Sequence, residues 1–88
     1  MNQSDAKKHF YRGVELQKDG RHDEAIEEYT KAIEIYPNYA FAYRNRGHAY
    51  KEQGGKAEAI ADYEMFIALS DNPAEVEMVR GWIEELSE

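Results

Sequence analysis

The side chains best suited to metal or nucleophilic chemistry are His9, His22 and His48, with the serines Ser4, Ser70 and Ser87. His48 and Glu52 stand four apart, so on a helix they face the same way and can offer a metal two ligands. Structural zinc takes four protein ligands and catalytic zinc three. The pair is therefore short of a site, and the plainer expectation is a polar His48 in local contact with Glu52. The chain has no cysteine, which removes disulfides, thiolate metal sites and thiol nucleophiles. No serine has a base beside it in a nucleophile motif. Gly54-Gly55 reads as a turn rather than a phosphate-binding loop. Glu24, Glu27, Glu28 and Glu34 read as the solvated side of a helix, paired with Lys31 at helical spacing. No metal, cofactor or catalytic centre is expected, and the chain does not read as an enzyme.

The elements that carry these residues are small and helical. Eighty-eight residues suffice for one core. Charged residues are 33% of the chain and hydrophobic ones 42%, the balance of a globular protein. The net charge of −7 repels phosphate backbones, so nucleic-acid binding is not expected. No apolar run approaches the roughly 18–20 residues that cross a bilayer. The opening MNQSDAKKHF lacks the apolar stretch of a secretory signal. A cytoplasmic protein is expected, and the absence of cysteine is compatible with that compartment.

Shifting the sequence by 34 residues aligns 6–39 with 40–73 without a gap. Ala6/Ala40, Arg12/Arg46, Gly13/Gly47, Gly20/Gly54, Glu24/Glu58, Ala25/Ala59, Ile26/Ile60, Tyr29/Tyr63, Ile33/Ile67 and Asn38/Asn72 are identical. Chance would give roughly two such matches. Each unit reads as two helices. The first runs from about Ser4 to Asp19 and stops at Gly20, which takes a left-handed conformation cheaply. The second runs from about His22 to Tyr36, with Ala25, Ile26, Tyr29, Ala32, Ile33 and Tyr36 in one apolar stripe, and Pro37 stops it. Asn38 is expected to cap a third helix, Tyr39 to Gln53, and a fourth covers Lys56 to Ser70. Asn72-Pro73-Ala74-Glu75 signals a fifth: Asn caps, Pro enters the first turn and Glu bonds back to the cap. Its apolar residues Val76, Val79, Ile83 and Leu86 recur at helical spacing.

Gly13, Gly20, Ala25, Tyr29, Ala32 and Pro37, then Gly47, Tyr50, Gly54, Ala59 and Tyr63, closely resemble the tetratricopeptide (TPR) repeat. Tyr43-Arg44-Asn45-Arg46-Gly47 is similar to a common form of its first helix. The resemblance implies an all-α solenoid of five helices in a single domain 1–88: repeat one 6–39, repeat two 40–73, and a capping helix 73–88. It also implies that Gly13 and Gly47 lie where paired helices approach closely. There are departures: His9 replaces a large apolar residue, Phe66 stands where Ala32 stood, and Asp71 replaces the closing proline. Two repeats are fewer than such stacks usually need, so the fifth helix must carry part of the stability.

The resemblance further implies that first helices line a concave surface. On the first helix it would hold Lys7, Phe10, Tyr11, Val14, Gln17 and Lys18, and on the third Phe41, Arg44, Asn45, His48, Lys51 and Glu52. Four cations against one carboxylate make this face about +3 on an acidic protein. The expected function is binding a peptide segment of another protein, with acidic and apolar residues, in that groove. Lys7, Lys18, Arg44 and Lys51 would attract carboxylates, Asn45 would bond the peptide backbone, and Phe10, Tyr11 and Phe41 would give apolar contact. The carboxylate clamp that some TPR domains use on chaperone tails is matched only at Asn45, since Phe10 and Val14 replace its first-repeat lysine and asparagine. An alternative is a structural chain that self-associates as a homo-oligomer through the C-terminal helix, where Met78, Val79 and Trp82 cannot all cover the fourth helix. The plainer expectation is that Trp82 closes the end of the core.

Overall fold

A computed structural model describes residues 2–88. It is all-α: α1 Gln3–Lys18, α2 His22–Ile35, α3 Ala40–Glu52, α4 Lys56–Leu69 and α5 Pro73–Ser87, with no strand among the described residues. Consecutive helices pack on one another, and α1 also touches α3. The molecule is a flattened stack of 37 × 28 × 17 Å.

Local chemistry sets the helix ends. Gly20 and Gly54 take φ of 78° and 83°, and so end α1 and α3 in the left-handed conformation that side chains resist. The start of α1 is fixed by a reciprocal cap that sequence reading missed: Asp5 N–H donates to Asn2 Oδ1 and Asn2 N–H to the Asp5 carboxylate. Asn38 does not cap α3. Tyr39 occupies the cap position, without a side-chain bond, because its N–H closes a tight turn onto the Tyr36 carbonyl at 3.1 Å. Asn72 does cap α5, accepting from Glu75 N–H at 3.2 Å. Glu75 does not bond back: the Asn72 N–H donates to Ser70 Oγ instead, and the Glu75 carboxylate turns to Arg44.

Within each helix pair a tyrosine lies on a glycine. A Cβ added at Gly13 would stand 2.6 Å from the Tyr29 ring, and one at Gly47 would stand 2.8 Å from Tyr63. Real carbon contacts need about 3.5 Å or more, so only glycine permits this approach. Tyr29 lies with Ala6, Phe10, Ala25, Ala32 and Ala42 in one buried cluster. Tyr63 lies with Ala59, Phe66 and Val79 in a second, which Trp82, Ile83 and Leu86 of α5 help to cover. The last helix is thus part of the core.

Two buried carboxylates lock the pairs together. Glu28, expected on a solvated face, is only 8% exposed. His9 Nδ1 lies 2.8 Å from it, Lys31 Nζ 3.2 Å and Arg12 Nη1 3.4 Å. Burial alone would raise its pKa, but the hydrogen bonds from His9 and Lys31 and their charges hold it below the ordinary value. Asp62 takes two bonds of 2.8 Å from Arg46, whose third nitrogen donates to Thr30 Oγ1 at 3.1 Å. Arg46 therefore ties α3 to α4 and also to α2. Here a fork-shaped donor does what an aliphatic side chain could not.

Candidate functional site

The first helices and the fifth form one layer. α3 is joined to α5 by Arg44 and Glu75, with charged atoms 3.5 Å apart, and by the rings of His48 and Trp82, whose centroids are 4.8 Å apart. The Arg44 guanidinium lies 4.8 Å from the Phe41 ring centre and 5.7 Å from that of Phe66, within cation–π range of both. Its Nε donates to Asn45 Oδ1 at 3.4 Å. Arg44 and Asn45 are half-buried, whereas Phe41 remains 45% exposed.

The residues expected on this face divide into surface and support. Lys7, Lys18, Lys51 and Tyr11 are exposed, as are Phe41 and Glu52. Phe10 is buried, stacked on Tyr39 with ring centres 5.0 Å apart and edge-on to Tyr11 at 5.3 Å. Its place beneath Tyr11 makes it a support for that ring. Val14 is half-buried against the same cluster. Gln17 accepts the Tyr29 hydroxyl proton at 2.6 Å. Burial pushes the Tyr29 hydroxyl up to about 12, against a smaller opposing hydrogen bond from Asn45.

His48 does not pair with Glu52. Its Nδ1 lies 2.6 Å from the Tyr63 hydroxyl, and its ring is wedged against Tyr63 and Trp82. Burial lowers its pKa to about 4, helped by the positive charges of Lys51 and Arg44 and opposed by Glu52. The imidazole is therefore neutral at pH 7 and can accept the Tyr63 proton, which burial holds in place by raising that hydroxyl to about 12. Among the described residues no three His, Cys, Asp or Glu side chains stand together in a way that could hold a metal.

Charge on the layer is more local than the sequence suggested. Lys18 pairs with Glu15 at 3.5 Å, and Arg44 with Glu75. Lys7 and Lys51 make no ion pair among the described residues. Counting Glu75 and Glu85, which α5 adds in the same register, lowers the net charge of this surface from about +3 to about +1, still opposite in sign to the whole chain. Two indentations lie off this layer. One, of about 400 Å³, is lined by His9, Lys31, Glu34 and Ile35, and the other, of about 240 Å³, lies at the helix turns around Arg21 and Gln53.

A family model described as TPR repeat matches residues 13–54, and one described as tetratricopeptide repeat matches 42–73. The chain belongs to the tetratricopeptide repeat family. Among solved structures, the TPR chain is similar to the first TPR of Spaghetti (RPAP3), in a structure described as bound to the HSP90 peptide SRMEEVD. The two share a TM-score of 0.87 and 27% identity, over 98% of this chain and 70% of that one. Comparison with curated proteins gives no match.

Sequence reading left Glu75 and Trp82 of the TPR layer out of the binding set, though it expected Trp82 to close the core, as it does. The signal was there: continuing the shift of 34 into α5 aligns Ala74, Arg80 and Gly81 with Ala40, Arg46 and Gly47. That register makes α5 a third first-type helix, which puts Glu75 opposite Phe41 and Trp82 opposite His48 in the repeat. No helix among the described residues is long and apolar enough to cross a membrane.

Proposed function

We propose that this TPR domain binds an acidic peptide segment of a partner protein along the face of α1, α3 and α5. The observation that carries the reading is the Arg44 guanidinium, seated over the touching rings of Phe41 and Phe66 on a face of net positive charge on a −7 chain. An arginine packed against aromatic rings is pre-ordered, so less side-chain freedom is lost when a carboxylate binds. Lys7, Lys18 and Lys51 add long-range attraction, which salt screens. Tyr11 and Phe41 offer exposed rings to apolar residues of the peptide, and Asn45 offers an amide for its backbone. The solved relative carries a carboxylate-rich peptide, which supports this chemistry. The first-repeat contacts must differ from those of a chaperone-tail clamp, because Phe10 lies in the core and Val14 brings no polar group. We place this activity in the cytoplasm.

Affinity capture from cell extract with the wild-type chain and with Arg44→Glu tests the reading. The expected result is a partner retained by wild type, released by salt, and lost with Arg44→Glu. Equal capture by the variant would contradict it. A second reading, self-association through α5, rests on Met78, which is 45% exposed there. Sedimentation at increasing concentration separates the two, since self-association requires a rising mass.

A further inference from the structure

The strongest cation of the proposed groove is already engaged. Glu75, in the first turn of α5, sets its carboxylate 3.5 Å from the Arg44 guanidinium. Both side chains are about a quarter exposed, so the pair lies at the surface without being fully hydrated. Glu75 is also the residue whose carboxylate should by local sequence have returned to the α5 cap, and it does not. Its N–H still completes the cap with Asn72, so the turn is anchored while the carboxylate remains available to reach across to α3.

We propose that Glu75 is an internal competitor for Arg44: a built-in carboxylate that occupies the place an acidic peptide needs and is displaced when one binds. The inference rests on the groove reading above and adds its control element. A partly exposed ion pair is worth only about a 1.4- to five-fold change in an equilibrium constant. That is weak enough for a multivalent acidic partner to displace, yet enough to reject a single stray carboxylate. Displacement leaves Arg44 on its two rings and frees Glu75 to water, so α5 need not move. The device sets a threshold: peptides with one carboxylate gain nothing over Glu75, whereas those that also reach Lys51 or Lys7 do.

The test is fluorescence anisotropy of labelled SRMEEVD peptide, at low ionic strength, with the full chain. Wild type is compared with Glu75→Gln, Glu75→Asp, Arg44→Gln and the Glu75→Gln/Arg44→Gln double variant, with melting curves to confirm folding. Glu75→Gln is expected to bind about 1.4- to five-fold more tightly than wild type. Glu75→Asp, which keeps the first-turn charge on a shorter arm, should fall between them. The double variant should bind no better than Arg44→Gln. Equal or weaker binding by Glu75→Gln, or no binding by any variant, overturns the proposal, and so does a gain that persists without Arg44. The groove reading is scored separately, by Lys51→Glu and Lys7→Glu in the Glu75→Gln background. If these leave affinity unchanged while the Glu75→Gln gain stands, Arg44 and Glu75 compete as described but the peptide does not follow the groove.

Discussion

Replacing Gly47 with alanine puts one methyl group against a ring that cannot withdraw. The new Cβ would lie 2.8 and 2.9 Å from two Tyr63 ring carbons and 3.3 Å from the Ala59 carbonyl oxygen. Tyr63 is fully buried, its hydroxyl is tied to His48, and Trp82 packs beside it with ring centres 5.5 Å apart. Relief therefore requires α3 and α4 to separate, an overpacking cost of about 1–3 kcal/mol. Alanine recovers about 0.5–1 kcal/mol of helix propensity, leaving a net loss of about 1 kcal/mol at mid-range and about 2.5 kcal/mol at most. For a domain of this size the mid-range loss is a fall in melting temperature of about 4–10 °C. The control is Gly81→Ala, at the same place in the 34-residue register but with nothing within 4 Å of its added Cβ. It should gain about 0.5–1 kcal/mol, because only the propensity term remains. Urea unfolding followed by circular dichroism measures both. A Gly47→Ala protein as stable as wild type, or a destabilised Gly81→Ala, would refute the claim that these helices nest through missing side chains.

Removing Pro73–Glu88 should unfold or aggregate the chain, because Val79, Trp82, Ile83 and Leu86 cover the cluster of Ala59, Tyr63 and Phe66. An unchanged melting curve for the truncated chain would count against this. Stability should also fall on mild acidification. The folded His48 binds its proton only near pH 4, whereas the unfolded chain does so near 6.5. Between those values the unfolded state holds more protons, so stability complete above about pH 6.5 is lost as the pH falls towards 4 and levels off below it. The loss is about 2 kcal/mol, allowing for screening at the ring's solvent-facing side. His48→Gln should flatten this part of a stability–pH curve, and an unaltered slope in that variant would exclude His48 as its source.

The fold was largely legible because its signals are steric and periodic. Gly13 and Gly47 recur 34 residues apart, each answered by a tyrosine 16 residues later, and no other residue type tolerates that approach. The layer itself was less legible, because a helical wheel assigns direction but not depth. Phe10 points to the expected side yet is roofed by Tyr11 and Tyr39. Glu28 looked like one more glutamate on an acidic helix. Only the arrival of His9, Arg12 and Lys31 from two helices explains its burial. Asn38 is a good cap in isolation and lost to the Tyr36–Tyr39 turn. Glu75 had a local partner and took a distant one. At Asn38 a competing local turn won, whereas at Phe10, Glu28 and Glu75 a tertiary contact overrode a sound local preference, and at Glu75 that contact falls on the proposed site.

The most direct test of the central claim is an amide chemical-shift map of the nitrogen-15-labelled chain as a captured partner peptide is added. Movement is expected at Lys7, Tyr11, Asn45, Lys51 and the Trp82 indole, with α2 and α4 unmoved except beside Phe66. Shifts confined to the outward residues of α2 and α4, such as Glu27, Lys31 and Glu64, would contradict it.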